Sequence, residues 1–90
     1  MERAVITVLG KDRIGIIAAV SRILAESTVN ILDISQTLMQ DVFTMVMLVD
    51  ITGSSITFSE LSDRLEAVGS ELGLYVKIQH EEIFNSMHRI

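Results

Sequence analysis

The first apolar segment, R-A-V-I-T-V-L over Arg3 to Leu9, is rich in β-branched side chains and stops at Gly10, which predicts a strand. The period then changes. From Ile14 to Glu26 the apolar residues Ile17, Val20, Ile23 and Leu24 recur at helical spacing, with Arg22 and Glu26 away from them, which predicts an amphipathic helix. Asp12 is placed to open it, because a carboxylate can accept from free first-turn N–H groups and suits the positive end of the helix dipole. After Ser27-Thr28 strand alternation returns in V-N-I-L-D-I-S-Q-T-L-M. It sets Leu32, Ile34, Gln36 and Leu38 on one face and Ile31, Asp33, Ser35 and Thr37 on the other.

Gln40-Asp41 is a short polar break, and the run V-F-T-M-V-M-L-V-D-I after it is expected to fold back as the second arm of a hairpin. Phe43, Met45, Met47 and Val49 form one face of that arm and Val42, Thr44, Val46 and Leu48 the other, both largely apolar, so this strand belongs in the middle of a sheet. Thr57 and Glu60 make a T-x-x-E capping box ahead of Phe58, Leu61, Leu65, Val68 and Leu72, a second helix that ends near Gly73. Leu74 to His80 alternates again, with Leu74, Val76 and Ile78 inward and Tyr75, Lys77 and Gln79 outward. The tail can add a short amphipathic helix through Ile83, Phe84 and Met87.

Strand, helix, strand, strand, helix, strand is an α+β order. Right-handed crossovers turn it into a ferredoxin-like βαββαβ sandwich, a four-stranded antiparallel sheet with two helices on one face. A third strand that is apolar on both sides then leaves Val or Met side chains on the uncovered face, and contiguous exposure of that kind marks an interface. The expectation is a homodimer that buries part of the sheet face or joins sheets edge to edge.

Composition narrows the function. Ninety residues make one domain, residues 1–90, with a thin margin of stability, and no Cys, Trp or Pro is present, so neither disulfides nor thiolate metal sites supplement the core. Seven Lys and Arg against twelve Asp and Glu give a net charge of −5, which opposes nucleic-acid binding. The aromatics Phe43, Phe58, Tyr75 and Phe84 are not interleaved with basic residues as a base-stacking platform requires. No apolar run reaches the roughly 18–20 residues of a membrane span, and Met1 leads directly into a strand, so a cytoplasmic protein is expected. His80 and His88 stand without a third His, and Met39, Met45 and Met47 read as packing residues, so no metal and no cofactor is expected.

At the first strand–helix junction the chain reads V-L-G-K-D-R-I-G-I-I, and V-N-I opens the next strand. This pairing resembles the ACT domain, in which a loop of D-[basic]-x-G type leads into the helix and an Asn or Asp follows it; the matching positions are Asp12, Arg13, Gly15 and Asn30. The resemblance covers residues 3 to 80. With D-I-S-Q-T at Asp33 to Thr37 and F-T-M at Phe43 to Met45, the chain looks like the small stand-alone ACT proteins of bacteria and archaea. It is also similar to the ACT halves of the glycine-cleavage-system repressor group. What the resemblance implies is a non-catalytic regulatory domain that binds a small molecule, an amino acid being the natural candidate, at the first strand–helix loop and a subunit interface.

The residues so implicated are Gly10, Lys11, Asp12, Arg13, Ile14, Gly15, Ile16, Asn30 and Ile31. The chemistry agrees: Gly15 allows close approach to the backbone, the helix start offers donors to a carboxylate, Asn30 has a donor and an acceptor for a zwitterion, and Ile14, Ile16 and Ile31 suit an apolar portion. Each also has a plainer use. Gly15 can serve close packing of the helix start, Asn30 can close a turn in left-handed backbone, Asp12 can be a cap, and Lys11 and Arg13 a solvated pair. Two other functions stand beside the regulatory one. A ligand-free interaction module acting on a partner protein would use the same exposed sheet. An acylphosphatase-like enzyme would use Arg13 and Asn30 around an anion loop, but Asp12 sits at the centre of that loop and opposes phosphate.

Overall fold

The computed structural model describes residues 2–11 and 15–87. Its elements are β1 (Arg3–Gly10), α1 (Ile16–Glu26), β2 (Asn30–Met39), β3 (Val42–Asp50), α2 (Phe58–Leu72), β4 (Tyr75–His80) and α3 (Glu81–Met87). The strands form one sheet in the order β2-β3-β1-β4, every neighbour antiparallel, with β3 and β1 central as its two apolar faces require. The expected βαββαβ architecture and its short C-terminal helix are present.

Register sorts the faces. Ala4, Ile6 and Val8 of β1 lie opposite Val49, Met47 and Met45 of β3, and Ile6 and Val8 also lie opposite Ile78 and Val76 of β4. All are buried, and they pack with Val20 and Leu24 of α1 and Leu61 and Leu65 of α2 in one core. Both helices therefore cover the same face. On the other face stand Val5, Leu9, Val46, Leu48 and Tyr75.

Three expectations shift. The α1 face buries Ile16, Val20, Ile23 and Leu24, while Ile17 is exposed. The helix opens at Ile16 rather than Ile14, with Gly15 as N-cap at φ 78° and no side-chain cap; Asp12, expected to open it, lies outside the described residues with Arg13 and Ile14. In β2, a bulge between Ile31 and Asp33 makes two residues oppose one step of β3. Ile31 thereby joins Ile34, Gln36 and Leu38 opposite the buried face of β3, and simple alternation fails at Leu32.

Local chemistry fixes the ends. Thr57 Oγ1 accepts from Glu60 N at 3.1 Å and the Glu60 carboxylate accepts from Thr57 N at 3.1 Å, the reciprocal capping box, and Gly73 at φ 71° closes α2. The two-residue loop Gln40-Asp41 joins β2 to β3 as expected, with Gln40 in left-handed backbone at φ 54°. Arg3 donates through Nε and Nη2 to Glu81 Oε1 at 2.9 and 2.8 Å, tying β1 to α3, and the His80 ring stacks on Phe58 with centroids 4.1 Å apart.

Candidate functional site

The topology brings four chain segments to one end of the sheet. β1 ends there at Gly10; α1 begins there and runs back; α2, antiparallel to α1, ends there at Leu72; β4 starts there at Tyr75. The positive end of the α1 dipole and the negative end of the α2 dipole therefore lie at the same end of the molecule. Between them is a cavity of ≈ 550 Å³ lined by Leu9, Gly10, Lys11, Ile16, Val42, Leu72, Gly73, Leu74 and Tyr75.

Backbone chemistry shapes this corner. A Cβ on Gly10 would land on Leu74 Cδ2, so Leu74 lies directly over the end of β1 only because residue 10 has no side chain. Gly69 has the same role one turn earlier, where a Cβ would come within 2.9 Å of Val76 Cγ2 and 3.0 Å of the Leu74 carbonyl. Gly15 is different. Among the described residues nothing lies within 4 Å of its hypothetical Cβ, whereas its φ of 78° is the left-handed backbone that favours glycine. α1 has no acidic residue in its first turn, so its leading N–H groups meet no carboxylate from that turn.

Of the expected site residues, Gly10, Lys11 and Ile16 line the cavity, with Gly15 at the helix start beside them. Asp12, Arg13 and Ile14 fall outside the described residues. Asn30 and Ile31 are elsewhere. Asn30 pairs with Asp50 at one end of β3, whereas Gly10 pairs with Phe43 at the other, a separation of roughly 24 Å at about 3.4 Å per residue. Within one chain, Gly10 and Asn30 therefore stand at opposite ends of the sheet. Asn30 does not close the turn after α1, because the left-handed residue there is Thr28, at φ 59°.

The residues that sequence reasoning missed are Leu9, one position before the expected loop, and Val42, Leu72, Gly73, Leu74 and Tyr75. For the last four the signal was topological rather than local: in a βαββαβ order, the end of the second helix must return to the end of the first strand. Two carboxylates elsewhere are held below their ordinary range. Asp50 is stabilised as the anion by the Thr52 hydroxyl and by the Thr52 N–H, which donates to its carboxylate at 2.9 Å, and Glu60 by the Thr57 backbone and hydroxyl. Among the described residues no cluster of His, Cys, Asp and Glu could hold a metal ion, and no described helix is long and apolar enough to cross a membrane.

The other conspicuous surface is β2. All ten of its residues are exposed, among them Ile31, Leu32, Ile34, Leu38 and Met39, and the adjoining Val42 is exposed as well. Leu38 and Met39 retain 58% and 69% of their accessible surface. β2 lies beyond the cover of the helical layer, so apolar side chains meet solvent on both faces of an edge strand that contains no Pro and one charged residue, Asp33.

Comparison with known proteins gives a consistent set of likenesses. A family model described as the ACT domain matches residues 2–79. A UPF0237 protein of Methanocaldococcus jannaschii is 53% identical over 90 residues, covering 100% of both chains. Among solved structures, an ACT domain protein from Streptococcus pneumoniae superposes with a TM-score of 0.80 at 42% identity, over 92% of this chain and 93% of that one. A putative glycine cleavage system transcriptional repressor superposes with a TM-score of 0.66 at 26% identity, over 88% of this chain and 45% of that one.

Proposed function

This chain belongs to the ACT domain family, whose members are regulatory ligand-binding domains, and from that premise we propose that it is a non-catalytic regulatory protein that binds an amino acid at the end of β1 and works as a homodimer. The observation that carries the reading is the cavity of ≈ 550 Å³ between the start of α1 and the end of α2. Its size suits a small molecule. Its two helix ends match a zwitterion: a carboxylate belongs near the leading N–H groups of α1 and the Lys11 ammonium, and an ammonium near the trailing carbonyls of α2. No constellation of nucleophile and base accompanies it among the described residues, which supports a binding role over a chemical one.

Dimerisation rests on β2. Five large apolar side chains on one edge strand, exposed on both faces, are a standing invitation to aggregation unless a second copy covers them. Asn30 and Ile31 enter the reading here, as part of the surface one protomer presents to another. Sedimentation at micromolar concentration tests this: a dimer that Leu38→Asp converts to monomer supports it, and a monomeric parent refutes it.

The ligand test is thermal unfolding against the twenty amino acids at millimolar concentration. A ligand at about 100 times its dissociation constant adds roughly 2.7 kcal/mol and raises the midpoint by several degrees. A selective rise supports the sensor. A flat response to all twenty favours the second reading, a ligand-free interaction module, for which the apolar β2 surface is also suited.

A further inference from the structure

We infer that α3 is a releasable strap over one end of the open sheet face, held closed by the Arg3–Glu81 ion pair, and that its release bares Val5. The matched family model ends at residue 79, and α3 follows it. Among the described residues α3 packs against β1 and β4 and against neither α1 nor α2, so it does not belong to the helical layer. Its ion pair shows which side it takes. Arg3 alternates with Ala4, Ile6 and Val8, whose side chains enter the core, so Arg3 stands with Val5 on the face that the two long helices leave open. From there its Nε and Nη2 both donate to Glu81 Oε1, at 2.9 and 2.8 Å. α3 turns Phe84 toward the protein, half-buried, and leaves Ile83 in solvent.

Val5 carries the mark of this cover. Of the open-face side chains Val5, Leu9, Val46, Leu48 and Tyr75, Val5 is the one that is buried, at 5% exposure; Val46 and Leu48 are half-buried, and Leu9 and Tyr75 are exposed. A place on a central strand does not account for it, because Thr7, the next residue on the same strand and face, is only half-buried. What distinguishes Val5 is its position two residues from Arg3, at the end of the face where α3 docks.

The energetics make the strap releasable. A helix of seven residues is far below the roughly 12–15 at which isolated helices become stable in water, so α3 keeps its helical form only while docked. No residue of α3 belongs to the main core, so undocking leaves the sheet and the two long helices intact. The Arg3 and Glu81 side chains keep 41% and 25% of their surface, which leaves the pair open to screening by salt.

The test uses the full-length chain, which has no cysteine, so one introduced thiol reports accessibility cleanly. Val5→Cys and, at the far end of the same strand and face, Leu9→Cys are labelled with a maleimide, each alone and combined with Glu81→Gln, at about 0.01 M and about 1 M salt. Glu81 is substituted rather than Arg3 because Arg3 also lies opposite Asp50 across the β1–β3 pair. The expected result is slower labelling of Val5→Cys than of Leu9→Cys, and a rise of about two- to fivefold in the Val5→Cys rate on adding Glu81→Gln, with the Leu9→Cys rate unchanged. High salt should raise the Val5→Cys rate by a similar factor, and have no effect once Glu81→Gln is present. An unchanged Val5→Cys rate in Glu81→Gln overturns the strap, and so does an equal rise at Leu9→Cys, which would mean that the whole fold loosens. Amide hydrogen exchange of the unsubstituted chain decides the same question without a cysteine. Exchange in α3 should be faster than in β1 and should quicken with salt; exchange as slow as that of β1, or indifferent to salt, overturns the inference.

Discussion

Replacing Gly15 by Ala isolates one physical term. The substituted Cβ meets none of the described residues within 4 Å; what changes is the cost of holding φ at 78°. An L-residue in that region costs about 1–2 kcal/mol, offset in part by the roughly 0.4–1 kcal/mol that Ala contributes by restricting the unfolded chain. The net expectation is a loss of about 1 kcal/mol, or about 4–8 °C in Tm for a chain of this length. Gly53 is the internal control, since it also has open space around its hypothetical Cβ but no positive φ, and Gly53→Ala is expected to be neutral or to gain a few tenths of a kcal/mol. Urea unfolding of both variants at one fixed protein concentration holds the mass-action contribution of any self-association constant, so that it cancels in the comparison. If Gly15→Ala is no less stable than Gly53→Ala, the left-handed N-cap is not what selects glycine at position 15.

Thr57→Ala removes the hydroxyl half of the capping box, leaving the Thr57 N–H to Glu60 carboxylate half in place, and should lower stability by about 1 kcal/mol, read as a shift in denaturant midpoint without a change in slope. Acid should act on the same contact. Asp50 and Glu60 titrate below their unfolded values, so their contribution is present above the ordinary carboxylate range near pH 4 and is lost as pH falls through the depressed folded values; Asp50→Asn and Glu60→Gln should each flatten the acid limb of a stability–pH curve, and an unchanged limb would refute the assignment. Ser27 is fully buried and its hydroxyl has no partner among the described residues, so Ser27→Ala should raise stability by up to about 1 kcal/mol in the same assay, a marked loss counting against the reading.

Periodicity carried the fold because burial in this chain follows the simplest geometry in most elements. The alternation of Phe43, Met45, Met47 and Val49 is the buried face of β3, and Val76 and Ile78 are the buried face of β4, as two-residue spacing requires. The T-x-x-E signature marked the start of α2 to the residue because the contact it encodes is local and reciprocal. Pattern reading failed where geometry departs from the ideal repeat. The β2 bulge shifts the alternation at Leu32, and the run of consecutive isoleucines at the start of α1 lets either Ile16 or Ile17 satisfy a helical period.

The candidate site was legible in halves for a related reason. A linear motif records neighbours in sequence, and Gly10, Lys11, Gly15 and Ile16 are neighbours both in sequence and in space. Asn30 followed the same motif, but an 11-residue helix runs the length of the sheet before β2 begins, so the chain reaches Asn30 at the far end. A crossover that carries residue 30 away must, by the same topology, bring the end of α2 back, which is why Leu72 to Tyr75 complete the cavity from more than fifty positions downstream. The two halves of the motif therefore serve different surfaces of one chain: the loop opens onto a cavity, and Asn30 opens an edge strand whose apolar side chains lack cover. A ligand bound at one end of the sheet would reach that strand through Val42, which lines the cavity and pairs with Met39 at the exposed tip of β2. Coupling between occupancy and association is expected to run through that hairpin, and a dimer constant that changes with ligand in the parent but not in Val42→Ala is the linkage that such a route requires.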